Sequence, residues 1–205
     1  MSPDEAVAFI KSLRKTMLTF YGFSGMEYED GKEMLDIARK VLSRYSPETT
    51  LVNIGATRTG IGAIYPLAKS MGFTTAGIVS TEALENPEEI SDSVDHICFI
   101  FDNQWGGKLP DSDELSPTSK AMVACSDILV GIGGGGVSLD EMLAGQAQGK
   151  QIIYFPADMN HEMASIQAKR KGLPPPTSFK GVAHDTLTGL KKSDLQKRLK
   201  EMKDK

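Results

Sequence analysis

Residues 127–141 of the chain read DILVGIGGGGVSLDE. An apolar run meets four consecutive glycines, and the residues after them take on the spacing of a helix. Glycine loses more backbone entropy on folding than any other residue, so four in a row indicate a conformation or a close approach that only glycine allows. We therefore predict a buried strand, a tight glycine turn and the start of a helix.

The same succession of apolar run and helical segment recurs along the chain. Six strands are predicted in this way, within 17–25, 51–56, 74–80, 96–102, 127–132 and 151–157. Such alternation is typical of βαβ units, whose crossovers place helices on both faces of a parallel sheet. We predict an α/β fold, a doubly wound Rossmann-like parallel sheet of about six strands with helices on both faces. Pro66 should kink its helix or lie near its start.

The length of 205 residues suits one domain. We predict a single Rossmannoid nucleotide-binding domain over residues 1–180, with an N-terminal helix, because no linker divides it. PPPTSFKG at 174–181 is interpreted as the passage to a C-terminal extension, residues 181–205, that is helical at its end. An apolar stripe in the extension fits either a solvated terminal helix or a partner contact; it comprises Leu190, Leu195, Leu199 and Met202.

Composition excludes several classes of function. A formal net charge of −4 argues against a nucleic-acid binder. No apolar stretch approaches the roughly 18 residues of a membrane span, and the N-terminus has acidic residues where a signal peptide is basic. Cys98 and Cys125 have neither disulfide nor metal-ligand spacing and are predicted to be buried thiols. We expect a cytoplasmic protein with no metal, no membrane partner and no nucleic-acid partner.

Small polar residues and glycines follow several of the predicted strands. In an open parallel sheet, ligands bind beyond the carboxyl ends of the strands. Helix N-termini there carry unpaired N–H groups and partial positive charge, which favours phosphate. We therefore expect a nucleotide as ligand and no required cofactor. The candidate binding residues are Gly22, Ser24, Gly55, Arg58, Thr59, Gly60, Asp102, Asn103, Trp105, Gly133, Gly134, Gly135, Gly136 and Ser138.

The glycine run itself has other interpretations. It can be a linker, or a tight packing turn without a ligand. Gly131, Gly133 and Gly136 also satisfy G-x-G-x-x-G, with Asp158 about 20 residues further on. That match to a dinucleotide site is weak, because four predicted strands precede it. The second glycine loop has P-loop spacing, but Ile61 stands where the lysine belongs, which excludes such an NTPase.

Taken together, the order of these elements resembles the Lonely Guy (LOG) proteins and their wider SLOG superfamily, over most of residues 17–170. YGFSG matches the end of the family's first strand, and NIGATRTGIGA matches its second, glycine-rich turn. GGGGVSLDE is similar to the family motif PGGxGTxxE, with Ser138 on the threonine and Glu141 on the glutamate. Two positions depart: Gly133 replaces the proline, and Val137 replaces the later glycine.

The resemblance implies a chemistry. LOG enzymes hydrolyse the N-glycosidic bond of a nucleoside 5′-monophosphate, with the phosphate on the glycine-rich helix start and the motif glutamate near the ribose. It makes Glu141 the candidate catalytic residue, since a carboxylate stabilises the oxocarbenium-like charge of such a cleavage. The alternative for Glu141 is an exposed first-turn glutamate that complements the helix dipole.

The family also carries an R-K-x-x-M motif whose arginine is paired with the glutamate. In TSKAMVACSD, Met122 matches the methionine, which puts Thr118 on the arginine and Ser119 on the lysine. Lys120 lies roughly 200° around a helix from the arginine position and is a poor substitute. Arg58 is either a replacement cation or a solvated loop arginine. The missing arginine favours binding over catalysis.

Three further loop residues have two interpretations each. Trp105 can stack on a base or pack in a core or interface. Asp102 and Asn103 can bond ribose or base, or merely make the turn. His161 can reach the site or simply begin a helix.

The leading hypothesis is therefore a SLOG-type binder of a nucleotide or nucleotide derivative. The alternatives are a LOG-like phosphoribohydrolase and a carrier similar to molybdenum-cofactor carriers. By resemblance, we expect a homodimer.

Overall fold

The computed structural model describes residues 1–189 of the chain. Its centre is a six-stranded sheet in which every pair of neighbouring strands is parallel. The strands are β1 (Thr16–Gly22), β2 (Thr50–Ile54), β3 (Thr74–Ser80), β4 (His96–Ile100), β5 (Ile128–Ile132) and β6 (Gln151–Phe155). The predicted fold class, a parallel α/β sheet of six strands, is confirmed.

Helices connect the strands on both faces. They are α1 (Pro3–Ser12), α2 (Gly31–Leu42), α3 (Ile64–Ser70), α4 (Pro117–Cys125), α5 (Gly136–Ala147) and α6 (His161–Arg170). Residues 182–189 are also helical. Pro66 is the third residue of α3, a position in the first turn where its missing N–H costs nothing. The loop predicted between β3 and β4 contains two short 3₁₀ turns.

Two apolar layers sandwich the sheet. On one face, α2 and α3 cover strand side chains that include Leu18, Val52 and Val130. On the other face, α1, α4 and α5 cover a set that includes Met17, Leu51 and Leu129. Because alternate residues of a strand point to opposite faces, the central strands are apolar on both, as the continuous apolar runs predicted. Cys98 and Cys125 are buried in the second layer, and burial raises the pKa of both thiols, to about 12 at Cys125.

The strand order, β4-β3-β2-β1-β5-β6, places the site. From β1 the chain builds outward through β2 and β3 to β4, and then crosses back to add β5 on the other side of β1. The loops after β1 and β5 therefore leave the sheet in opposite directions. A crevice opens at such a switch point, beyond the carboxyl ends of the strands.

Buried tyrosines hold the strand ends around this crevice. Tyr28 Oη accepts a hydrogen bond from Phe23 N–H at 3.1 Å and donates one to the Ile132 carbonyl at 2.7 Å, which ties the end of β1 to the end of β5. Tyr65 Oη accepts from the Ile54 and Ala56 N–H groups, each at 3.1 Å, and donates to the Ala76 carbonyl at 2.7 Å. The hydroxyls of these two tyrosines therefore hold in place the backbone at the strand ends that line the crevice.

The segment after α6 returns to the second face of the sheet. Met159 N–H donates to the Phe179 carbonyl at 2.8 Å, and Ala183 and Leu187 are buried beside Met142 of α5. The predicted boundary near residue 180 stays a prediction, and the apolar stripe of Leu190, Leu195, Leu199 and Met202 lies outside the described residues. None of the helices over residues 1–189 combines the length and apolarity needed to cross a bilayer.

Candidate functional site

A pocket of about 410 Å³ lies at the carboxyl ends of β1, β2 and β3, roofed by the first turns of α4 and α5. Its walls are largely apolar, with Phe20, Ile54, Ile61, Ile78 and Val79 among them. Tyr21, Thr118, Ser138 and Glu141 add polar groups. Ligand pockets commonly combine apolar walls with a few convergent polar groups in this way.

The structure brings seven of the fifteen predicted site residues together. These seven line the pocket: Gly22, Ser24, Gly55, Thr59, Trp105, Ser138 and Glu141. The others lie outside its lining, and these are Arg58, Gly60, Asp102, Asn103, Gly133, Gly134, Gly135 and Gly136. The four glycines form the turn from β5 into α5, directly before Val137 and Ser138 of the lining.

The four glycines divide into two pairs. Gly133 and Gly134 have φ of 61° and 126°, a region that favours glycine. A Cβ atom at Gly133 would lie 2.5 Å from the Phe23 ring, and one at Gly134 would lie 2.8 Å from Ser138 Cβ. At Gly135 and Gly136 the φ angles are ordinary, and a Cβ atom would meet nothing within 4 Å. The first pair is required by the fold, whereas nothing in the described structure requires the second.

The N-terminus of α5 is left open. Gly135 is the N-cap residue and offers no side-chain hydrogen bond to the first turn. The first N–H groups of a helix have no partner within the helix and carry its positive partial charge. Ser138 Oγ donates to the Gly22 carbonyl at 3.2 Å, so this end of the helix is fastened to the end of β1. The turn can therefore accept an anion without changing its own conformation.

Glu141, the sixth residue of α5, is buried at 4% exposure and lines the pocket. Burial raises the pKa of its carboxyl to about 8; the Ser119 hydrogen bond opposes that shift, and the charge of Asp140 adds to it. The interpretation of Glu141 as an exposed first-turn glutamate is wrong, because α5 turns this side chain inward beneath the loop that precedes α4. A carboxyl that is largely protonated near neutral pH can donate a hydrogen bond or a proton.

Ser119 connects Glu141 to that loop. Ser119 Oγ donates to Glu141 Oε1 at 2.5 Å and accepts from Gly107 N–H at 2.7 Å. Tyr21, on β1, faces the same carboxyl, and the pKa of its hydroxyl is raised by burial and by the nearby Glu141 charge. The sequence analysis did not predict Tyr21 as a site residue. It considered Ser119 only as the residue that replaces the lysine of the family motif. Its position at the end of the first predicted strand, where ligands bind in a parallel sheet, could have identified Tyr21.

Trp105 stands at the mouth of the pocket with 60% of its surface exposed. Val137, in the first turn of α5, is 41% exposed and lies beside Gly106 and Gly107. An exposed aromatic ring at a pocket mouth suits stacking on a planar ligand. The sequence left Trp105 either to stack on a base or to pack in a core or an interface. Its exposure excludes packing in the core of this chain and leaves stacking and interface packing as the two interpretations.

Arg58 and Asp102 are occupied by other contacts. Arg58 Nη2 donates to the Ile90 carbonyl and bonds Asp92, each at 3.0 Å, on the outside of the pocket wall. Asp102 Oδ2 accepts from Thr118 N–H at 2.9 Å, and Oδ1 from Gln104 N–H at 3.1 Å, so its carboxylate caps α4. Asn103 lines a second, open concavity of about 530 Å³ on the far side of the α4 start.

The pocket is poor in positive charge. Among the described residues that line it, none is Lys, Arg or His, while Glu89 and Glu141 are acidic. Thr118, at the position of the family arginine, adds a hydroxyl and no charge. Any anion in the pocket would therefore be held by backbone N–H groups and hydroxyls, without a cationic side chain from the described lining residues.

His161 belongs to a separate cluster. Its ring stacks on Phe179 at 3.9 Å between centroids, and it lies near Asp158 and Glu29. Asp158, the predicted dinucleotide acid, is 3.3 Å from Lys180. In residues 1–189, no group of three or more His, Cys, Asp and Glu side chains is arranged to hold a metal ion.

No protein-family model matches the sequence, and no curated protein matches it. Several solved structures do share the fold. The molybdenum cofactor binding protein from Rippkaea orientalis is 18% identical with a TM-score of 0.52, over 89% of this chain and 98% of that one. The Moco carrier protein from Chlamydomonas reinhardtii is 17% identical with a TM-score of 0.50, over 87% and 99%.

DNA processing protein A from Streptococcus pneumoniae has a TM-score of 0.51 at 12% identity, over 86% of this chain and 62% of that one. At such identities these likenesses establish the fold alone, a Rossmann-like parallel α/β sheet. The narrower resemblance to LOG enzymes rests on the sequence motifs.

Proposed function

We propose that the chain binds a nucleotide or a nucleotide-derived small molecule in the pocket beyond β1, β2 and β3. The observation that carries the proposal is the open N-terminus of α5 beside that pocket. Gly135 and Gly136 leave its N–H groups uncovered although the fold requires no glycine at either position. A phosphate oxygen is the natural acceptor for such groups.

The rest of the pocket suits the other parts of a nucleotide. Trp105 at the mouth and the aliphatic walls offer a face for a base. Glu141 and Ser138, deeper in the pocket, offer hydrogen bonds to sugar hydroxyls. A volume of about 410 Å³ lies within the range of small-ligand sites.

Isothermal titration with paired ligands tests the proposal. AMP and adenosine differ only in the phosphate, so AMP should bind at least tenfold more tightly if α5 holds that group, because a charge-assisted hydrogen bond is worth roughly 1.5–3 kcal/mol. Cyclic AMP and ADP-ribose extend the panel. No binding by any phosphate-bearing member to folded protein would refute the proposal.

A hydrolase is the second candidate, favoured by the state of Glu141. A carboxyl with a pKa of about 8 is suited to general acid catalysis of N-glycosidic cleavage near neutral pH. Against it stands Thr118 in place of the family arginine. Release of free adenine from AMP, abolished in Glu141→Gln, would support this candidate. No base release from any of the common nucleoside monophosphates would remove it.

A cofactor carrier is the third candidate. Two structures that share the fold are named as a molybdenum cofactor binding protein and a Moco carrier protein. Such a cofactor would occupy the same pocket as the proposed nucleotide. Mass spectrometry of the small molecule that co-purifies with native protein distinguishes a nucleotide from a molybdenum cofactor.

Two further expectations from the sequence analysis are proposals of the same kind. We propose a homodimer, which sedimentation equilibrium of the purified chain tests directly. We also propose a cytoplasmic location, which fluorescence microscopy of a tagged full chain tests.

A further inference from the structure

The loop between β4 and α4 lies against the first turns of both α4 and α5. Gly106 and Gly107 have φ of 107° and 82° and pass so close that a Cβ atom at Gly106 would lie 3.0 Å from Ser119 Oγ and 3.1 Å from Val137 Cγ1. The Gly107 carbonyl accepts from Ser116 N–H at 2.8 Å. This stretch of the loop is therefore hydrogen-bonded to the start of α4 and packed against the start of α5, and Trp105 directly precedes it.

Ser119 is the point at which the loop and the pocket meet. It is fully buried, and its hydroxyl bonds the loop at Gly107 N–H and the pocket at Glu141 Oε1. A hydroxyl has one hydrogen to donate and two lone pairs to accept with. When Glu141 is a carboxylate, that hydrogen is directed to it. When Glu141 is protonated or bonded to a ligand, the Ser119 hydroxyl no longer has a free carboxylate to donate to. Its hydrogen bond with the loop, from Gly107 N–H, then changes as well.

The groups around Glu141 leave its charge uncompensated. Tyr21 faces it from β1, Asp140 adjoins it on α5, and Ser119 faces it from α4. From the loop, the Gly106 backbone approaches it, and Lys108 is paired with Asp113. Of these groups, the hydroxyl of Ser119 is the one that is hydrogen-bonded both to Glu141 and to the loop.

We propose that Ser119 is a positioning residue that couples Glu141 to the Trp105 loop, so that a change of charge or bonding at Glu141 moves Trp105 at the pocket mouth. The coupling rests on the proposed function for the role of the pocket as a ligand site. Its test needs no ligand, so the two can fail separately.

Trp105 is the only tryptophan of the chain, so its fluorescence reports the loop alone. In ligand-free protein, the emission should change with a single midpoint near pH 8, where Glu141 loses its proton. Glu141→Gln should abolish the change between pH 6.5 and 9.5. Ser119→Ala should reduce its amplitude at least fivefold, because the hydroxyl that links the two groups is gone.

Matched variants separate coupling from general loosening. Thr75→Val also removes a buried hydroxyl, at the start of β3, where Thr75 Oγ1 donates to the Ser93 carbonyl at 2.7 Å and accepts from Asp95 N–H at 3.0 Å. It should keep the wild-type midpoint and amplitude. Ser119→Thr retains the hydroxyl and should retain the titration. Should Ser119→Ala fail to fold by circular dichroism, Ser119→Cys, whose thiol bonds weakly, replaces it with the same expected loss.

Three results would overturn the coupling: a flat wild-type titration, an unchanged one in Glu141→Gln, or a wild-type response in folded Ser119→Ala or Ser119→Cys. AMP supplies a separate arm. At pH 6, saturating AMP should shift Trp105 emission in the wild type and at least fivefold less in Ser119→Ala. If AMP fails to bind while the pH titration behaves as expected, the proposed function fails and the coupling stands.

Discussion

The helices α4 and α5 begin side by side over the same pocket, yet their N-termini differ: side chains cap the first turn of α4, and no side chain caps that of α5. At α4, Ser116 Oγ accepts from Ser119 N–H, Pro117 has no N–H to satisfy, and Asp102 accepts from Thr118 N–H. At α5, the cap position is a glycine without a side chain. The protein supplies its own oxygens to one helix and none to the other.

This difference between the two N-termini is a better guide to the position of a ligand than the number of glycines in the turn. A helix N-terminus attracts anions wherever it occurs, so its presence alone distinguishes nothing. What distinguishes α5 is that uncovered N–H groups coincide with a pocket and with glycines that packing does not require. At α4 the carboxylate of Asp102 already occupies the position that an anion would take.

The largest expected effect concerns the buried carboxyl group of Glu141. The pKa of Glu141 is raised to about 8, so the folded protein holds this proton more tightly than the unfolded chain. That stabilisation is complete below the ordinary range of a carboxyl and is lost as the pH rises through 8. The wild type should lose up to about 4 kcal/mol of unfolding free energy between pH 5 and 9, at about 1.4 kcal/mol per pKa unit.

Glu141→Gln stays neutral and should lack this decline. Urea denaturation of both proteins at pH 5, 7 and 9 measures it. Parallel profiles for the two would contradict the raised pKa.

The next effect distinguishes the two glycine pairs. Gly133→Ala forces a side chain into the left-handed region and against the Phe23 ring, and should destabilise by about 3 kcal/mol. Gly136→Ala meets open space in a helix and should be neutral or stabilise by up to about 1 kcal/mol. Thermal denaturation checks both. Equal losses would mean that the whole run is a packing turn.

Removing the cap of α4 should cost about 2 kcal/mol. Asp102→Ala leaves the Thr118 N–H buried without its acceptor, whereas Asp102→Asn keeps an oxygen for it. Urea midpoints should fall clearly in the first variant and by less than half as much in the second. If Asp102→Ala is as stable as the wild type, the Asp102 carboxylate does not stabilise α4 as a cap.

The smallest change in stability should accompany a clear change in binding. Gly135→Asp supplies α5 with the acidic cap that α4 has, at an extended position with room for it, and should alter stability by only a few tenths of a kcal/mol. Its carboxylate should compete with phosphate and weaken AMP binding at least tenfold. Gly135→Asn, a neutral cap of the same shape, should weaken it less. Unchanged affinity in Gly135→Asp would place the phosphate elsewhere.

The sequence predicts the sheet well because its signals are local and repeated. Continuous apolar runs mark the strands, and the alternation with helices determines that the sheet is parallel. The glycine turn after β5 was also predictable, since positive φ at Gly133 and Gly134 demands that residue. The turn's relation to the pocket followed from the rule that ligands lie beyond the carboxyl ends of parallel strands.

The remainder depended on contacts between distant residues. Nothing local distinguishes Asp102, which caps a helix 16 positions later, from an acid that binds a ligand. Arg58 seemed available in its loop, but an aspartate 34 positions away engages it. The inward turn of Glu141 depends on a serine from another helix and a loop that covers both. Tertiary packing determines these contacts, and the periodicity of the sequence carries no information about them.

The lack of basic side chains in the pocket lining has a kinetic consequence. Lysine and arginine attract an anion from a distance, and salt weakens that attraction. Partial charges at a helix start act only at close range, and here Glu89 and a net charge of −4 oppose the approach. A nucleotide would reach this pocket by unaided diffusion, and added salt, by screening the repulsion, would leave its association rate unchanged or raise it.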